Sequence, residues 1–247
     1  MKLRILAFTA LTFVSTIGCQ RLITAVATPV ILQEESERNE KAVLRYVWPV
    51  LKSSGKAARI YYAAVCHSNE DYAAFPWINA QPPPSGKTGL AAIQGIFRND
   101  KSVDIREDET GIIRIKLGNV PDTILHTRIS FLRLDASSQY NATVAIEAIE
   151  ESNEVQAAAR KLNIHIPVKV YNMLLVQPAE GEPHLPASMM DVTMDEALDL
   201  VAMTFKGVVL YGACVQPGLI DTTFTGGIYF DDRSLDTVNG SQSDSKQ

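Results

Sequence analysis

Histidine and cysteine are scarce in this chain, with four and three in 247 residues. None of His67, His126, His165 and His184 lies three or four residues from another histidine or a cysteine. Cys66 and His67 are adjacent, and neighbours on a strand point to opposite faces, so the spacing excludes a zinc site. The G-x-S-x-G motif of serine hydrolases does not occur. Ser85-Gly86-Lys87-Thr88 ends like a phosphate loop, but Gln81 stands where its first glycine belongs and Pro82, Pro83 and Pro84 fill the interval. A phosphate cradle needs free backbone amides, which prolines do not offer. No metal, cofactor or catalytic residue is therefore expected. Basic clusters are missing too: 23 Lys and Arg face 28 Asp and Glu, a net charge of -5 that argues against nucleic-acid binding. After the first twenty residues no apolar run is long enough to span a bilayer.

What is present begins at the amino terminus. Lys2 and Arg4 form a basic head, residues 5–17 are an apolar run, and Gly18-Cys19 follows. This is the layout of a bacterial export signal. Two cleavage readings compete. Thr16-Ile17-Gly18-Cys19 resembles a lipoprotein box in which Cys19 becomes the lipidated first residue, with Thr16 where leucine is usual. Ala25-Val26-Ala27 offers an ordinary small-x-small cleavage site. A buried amino-terminal helix is the third reading, but the run is apolar all round and lacks an amphipathic face. Gln20 gives no acidic retention mark, so a lipidated form is expected on the periplasmic face of the outer membrane. The alternative is a soluble periplasmic protein.

Both cleavage readings remove Cys19 from thiol chemistry and leave Cys66 and Cys214. Each ends a similar apolar segment, residues 58–66 and 208–214. In an oxidising compartment a disulfide between neighbouring strands is one outcome; two buried free thiols are the other.

The pattern divides the chain into a signal segment (1–19), a tether (20–35), a first α+β half (36–135), a second α+β half (136–232) and a polar, disordered tail (233–247). In the first half, Val43, Leu44, Val47 and Leu51 predict a helix over 36–51, kinked or ended early by Pro49 and capped by Gly55. A buried strand follows at 58–65. The loop 66–87 is rich in proline, and Phe75 and Trp77 are expected to anchor it; Tyr72, Phe75 and Trp77 make it a candidate contact surface. Thr88 opens a helix with Leu90, Ile93, Ile96 and Phe97 on one face. A hairpin then runs through residues 102–106 and 112–117 around Gly111. Glu107, Asp108 and Glu109 read as its solvated turn. A short helix and a strand at 130–134 complete the half.

In the second half, residues 142–151 and a segment capped by Asn153 read as helices, with Glu147, Glu150, Glu151 and Glu154 on a solvated face. A strand is expected at 164–171 and a loop at 177–188. Thr193 and Glu196 form a capping box, so a helix begins there, buries Ala197, Leu198, Val201, Ala202 and Phe205, and ends at Gly207. Strands follow at 208–214 and 220–230, around a Pro217-Gly218 turn. The fold class is thus α+β: two helix-plus-hairpin halves with mixed or antiparallel sheets. Helix, strand, turn, strand recurs over 88–117 and 193–230, so a degenerate duplication is one reading of the pair.

Residues 191–201, Asp-Val-Thr-Met-Asp-Glu-Ala-Leu-Asp-Leu-Val, resemble the central helix of the secretin and TonB short N-terminal domain. Thr193, Glu196, Ala197 and Leu198 carry the match. The likeness extends over 191–230 and less closely over 40–117. Phe205-Lys206-Gly207-Val208 stands where the family has a Gly-Leu step, and Cys214 is not required by its pattern. The resemblance implies a small α/β module used for protein contacts in the periplasm, without catalytic residues.

The expected function is therefore a non-enzymatic interaction or assembly module of the cell envelope, held to the membrane through Cys19 if that residue is lipidated, with an envelope protein as partner. The alternatives are a small-ligand binding protein, with Tyr72, Phe75 and Trp77 lining a pocket, and an enzyme of unrecognised type that uses the 66–87 loop.

Overall fold

The computed structural model describes residues 15–66, 72–167, 181–216 and 218–226, and for 15–32 the helical backbone alone. The expected signal residues 1–14, His67, residues 168–171 of the strand expected at 164–171, residues 177–180, Pro217, residues 227–230 and the tail lie outside the described residues; over 164–167 that strand is reduced to a single bridge between His165 and Leu219.

The chain opens with one long helix, α1 (Ser15–Ser54). It takes in the segment expected as a tether and runs through Pro49. A proline inside a helix removes one hydrogen bond and costs roughly 3 kcal/mol. Val47, Val50 and Leu51 on either side are buried, which holds the helix together across it. The helix ends where expected: Ser54 Oγ donates to Val50 O (2.8 Å), Lys56 N to Leu51 O (3.1 Å), and Gly55 holds φ 64°.

Seven strands and five further helices follow. They are β1 (Ala58–Ala63), α2 (Gly89–Ile96), β2 (Val103–Glu107), β3 (Ile113–Leu117), β4 (Arg128–Arg133), α3 (Ala136–Tyr140), α4 (Ala142–Glu150), α5 (Asn153–Leu162), β5 (Ser188–Thr193), α6 (Met194–Phe205), β6 (Val208–Cys214) and β7 (Leu219–Thr225), with a 3-10 turn at Thr123–His126. This is an α+β protein with a mixed five-stranded sheet, ordered β2-β3-β1-β6-β7, and a two-stranded antiparallel sheet, β4-β5. Strand β1 is central and parallel to both β3 and β6; β2 and β7 add antiparallel edges. Strands from the two expected halves thus share one sheet, and β4 and β5 also pair across residue 135.

Side chains alternate along a strand, so each face of the sheet has its own core. Ile60, Ile115 and Leu210 face α1 and α2, where Leu44, Val47, Ile93 and Ile96 cover them. Val209, Tyr211 and Ala213 face α4 and α6, against Ile146, Ile149, Leu198 and Val201. A buried central strand with helices on both faces explains why β1 lacks apolar-polar alternation.

Several local details differ from the sequence reading. Asn153 is the first residue of α5 and Ser152 its cap. Glu150 is buried, and Glu154 accepts from the Ser130 amide (3.1 Å), so that acidic face is partly enclosed. At the end of α6, Lys206 takes the left-handed conformation (φ 50°) and not Gly207. Gly207 answers a spatial need instead: a Cβ there would lie 2.3 Å from the Phe224 ring. The helix α3 and strand β5 were not anticipated.

Gly212 has the same role at the sheet centre. It pairs with Tyr62, whose ring crosses it, and a Cβ at Gly212 would lie 2.3 Å from that ring. The Tyr62 hydroxyl donates to Ala73 O at 3.2 Å, so the ring is not free to swing away. Gly212→Ala is expected to lower stability by about 1–3 kcal/mol or more, read from urea unfolding.

Glu40 on α1 is half-buried. Burial first, then the charges of Asp221 and Glu37, push its carboxyl from 4.5 up to about 7, against the pull of Lys41. Between these values the folded state holds more protons than the unfolded chain, so this group's stabilising contribution is lost as pH rises through that window. Glu40→Gln is expected to flatten the fall in melting temperature between pH 4.5 and 7, measured by a pH series of thermal melts.

Candidate functional site

A cleft of about 300 Å³ opens over the β2-β3-β1 part of the sheet, on the α6 side. Its floor is Asp104 and Arg106 of β2, Arg114 and Lys116 of β3 and Tyr61 of β1; Val120, Asp122, Leu125, His126 and Asp195 form the walls. The register explains the floor. Arg106 pairs with Arg114, and Arg114 with Arg59, so three arginines lie side by side across β2, β3 and β1. Asp104, Lys116 and Tyr61 form the next row.

Adjacent like charges destabilise a sheet unless they are neutralised. Helix α6 supplies the counter-charges. Its capping box, with Thr193 Oγ1 accepting from the Glu196 amide (3.2 Å) and Glu196 Oε2 accepting from the Thr193 amide (2.6 Å), sets where the helix begins. Asp195 and Asp199 then stand one turn apart on one helix face. Arg59, fully buried, donates from Nη1 to Asp199 Oδ1 (2.7 Å) and to the Asp195 carbonyl (3.0 Å). Its Nη2 lies 3.1 Å from Asp195 Oδ1, an ion-pair contact without hydrogen-bond alignment. Arg114 donates from Nη2 to Asp199, from Nη1 to Asp195 Oδ2 (3.2 Å) and the Tyr61 hydroxyl, and from Nε to Asp108 Oδ2 (2.7 Å). Tyr61 in turn donates to Asp195 Oδ1 at 3.0 Å.

Burial pushes the Asp199 carboxyl above its ordinary range despite the pull of Arg59 and Arg114. It also raises the Tyr61 phenol. The network positions α6 over the sheet and forms one wall of the cleft.

The sequence-predicted residues fall elsewhere. Cys66 and Cys214 form a disulfide with Cα atoms 6.1 Å apart, tying the segment after β1 to the end of β6. Phe75 is buried against Tyr62 (ring centroids 4.7 Å), and its amide donates to Ser36 Oγ at 2.7 Å. Trp77, expected to help anchor the loop, is 71% exposed, and Tyr72 is half-buried. The Cys19 side chain is outside the described residues. Of the histidines, His126 reaches the cleft, His165 bridges to Leu219 through its backbone, and His184 stacks on Tyr140. Among the described residues no cluster of His, Cys, Asp and Glu could hold a metal. A second hollow, about 420 Å³, lies at the end of β6 beside Cys214, Val215 and Leu162.

The surface also carries an apolar pair. Phe131 of β4 and Met190 of β5 stand directly opposite each other, 55% and 69% exposed. Beside them Asp191 holds φ 55°, a conformation uncommon outside glycine, and pairs with Arg128 (Nη2 to Oδ2, 2.6 Å).

No family model matches the chain, and no curated protein or solved structure is significantly similar to it. Among the described residues no helix is long and apolar enough to cross a membrane.

The arginine-aspartate network is where stability is most sensitive. Removing one member of a buried pair leaves the other uncompensated, at a cost of roughly 3–5 kcal/mol. Asp199→Ala is expected to lose stability on that scale, and Arg59→Met combined with Asp199→Leu much less, as measured by denaturant unfolding.

Proposed function

We propose that this is an exported cell-envelope protein that acts as a non-enzymatic interaction module. The observation that carries the contact role is the exposed Phe131–Met190 pair. Two large apolar side chains fixed on a ribbon, beside a residue in a strained conformation, are the kind of feature found at binding surfaces. The Arg128–Asp191 pair gives this patch a polar rim. The partner is an envelope protein presenting an apolar segment.

The compartment rests on the basic head and apolar run at the amino terminus and on the Cys66–Cys214 disulfide, a bond that persists in oxidising surroundings. Lipidation of Cys19 places the protein at the periplasmic face of the outer membrane; cleavage after Ala27 leaves it soluble in the periplasm. The resemblance of residues 191–230 to the secretin and TonB short N-terminal domain supports a contact module, and α6, β6 and β7 follow one another in the capped helix, strand, strand order read from the sequence. The cleft over β2 and β3 supports a second reading, a small-ligand binding protein.

A photo-crosslinking residue placed at position 131 in living cells tests the contact surface. A discrete adduct is expected there, weakened by Met190→Ser and absent from exposed position 161. Equal labelling at 131 and 161 would sink this surface. Intact mass separates the two anchoring outcomes: added acyl chains on Cys19, or a chain beginning after Ala27.

A further inference from the structure

The cleft holds charges that the fold does not use. Asp195 is taken by Arg59, Tyr61 and Arg114, and Arg114 by Asp108, Asp195 and Asp199. Lys116 Nζ lies 3.8 Å from Asp122 at the rim. Two charged floor residues are left over, Asp104 and Arg106, and among the described residues no hydrogen bond or ion pair reaches either side chain. They are of opposite sign. They are alternate residues of β2, so both point to the cleft side of the sheet, with Cα atoms about 6.6 Å apart.

We infer that this cleft binds a small zwitterion of dipeptide size, its ammonium on Asp104 and its carboxylate on Arg106. An extended dipeptide spans about 7 Å between its charged ends, on the scale of the spacing between these two positions, and the long Arg106 side chain has the reach to meet the carboxylate end. A cavity of about 300 Å³ accommodates a molecule of that size. Tyr61, Val120 and Leu125 supply apolar surface for its body. A plain anion would meet Asp104, Asp122 and Asp195 along with the cations, and a plain cation would meet Arg106, Arg114 and Lys116. The mixed lining disfavours both. This site is separate from the β4-β5 contact surface and does not depend on it.

Calorimetric and NMR titration of the full mature protein at low ionic strength tests the site. The probes are alanylalanine, N-acetyl-alanylalanine and alanylalanine amide. Saturable binding of alanylalanine is expected, with amide shifts confined to β2, β3 and the 120–126 wall. A charge-assisted hydrogen bond is typically worth enough that each capped probe should bind at least about tenfold more weakly. Asp104→Asn and Arg106→Gln should each weaken alanylalanine by a similar factor, roughly tenfold. Both residues are exposed on an edge strand, so an unchanged melting temperature is expected for both variants. Three results would overturn the inference: no saturable binding at millimolar peptide, equal binding of the capped probes, or unchanged binding by both variants. The first would leave Asp104 and Arg106 as solvated charges that guard a sheet edge against aggregation.

Discussion

The pairing of Arg59 and Arg114 with Asp195 and Asp199 is the interaction on which this architecture turns. Two arginines side by side on parallel strands would repel each other beneath a low-dielectric layer. Two carboxylates one turn apart on α6 neutralise both at once, and each aspartate touches each arginine. The arrangement fixes the rotation and height of α6 over the sheet more tightly than its apolar face alone would. Apolar packing tolerates small slides, whereas a helix shifted by one residue here would leave a fully buried guanidinium without its partners.

Much of the remaining structure takes its position from that contact. With α6 held over β1, the β2-β3 hairpin extends beyond it and its charged side becomes the floor of the cleft. The same helix follows β5 without a break, so its placement also places the β4-β5 ribbon and the Phe131–Met190 pair. On the opposite face, Tyr62 crosses Gly212 and locks against Ala73, and the disulfide ties the segment beyond β1 to the end of β6. The central strands are therefore joined by ladder hydrogen bonds, by side-chain interlock and by a covalent bond.

The parts of the fold that were legible in the sequence are those written in local signals. Thr193 and Glu196, three residues apart, announced the start of α6 because a capping box is complete within one turn. The β2-β3 hairpin was readable from alternation on either side of Gly111. Pro49 did not end α1 early, because a local penalty of a few kcal/mol was outweighed by burial of its neighbours against a sheet that the sequence does not display. Gly207 misled in another way: glycine at a helix end suggests a left-handed cap, and here the need came from the Phe224 ring on another strand.

The candidate site was almost invisible for the same reason. Arg59 sits in an apolar strand and looks like a tolerated exception, and its partners lie 136 and 140 residues away. Asp195 and Asp199 lie in the run 191–201, where the capping box and the apolar face drew the reading and neither acid stood out. An arginine on a buried strand, with acids four apart on the apolar side of a helix, was the available signal. By itself, the sequence determined the α+β class, most of the helices and strands of the five-stranded sheet and the capping of α6, which depend on interactions within a few residues. Tertiary structure alone decided the register that lines up three arginines, the neutralisation of two of them, the opposed charges left on β2 and the exposure of Phe131 and Met190. Those properties belong to pairs brought together by strand register, and register is fixed only when the whole sheet has formed.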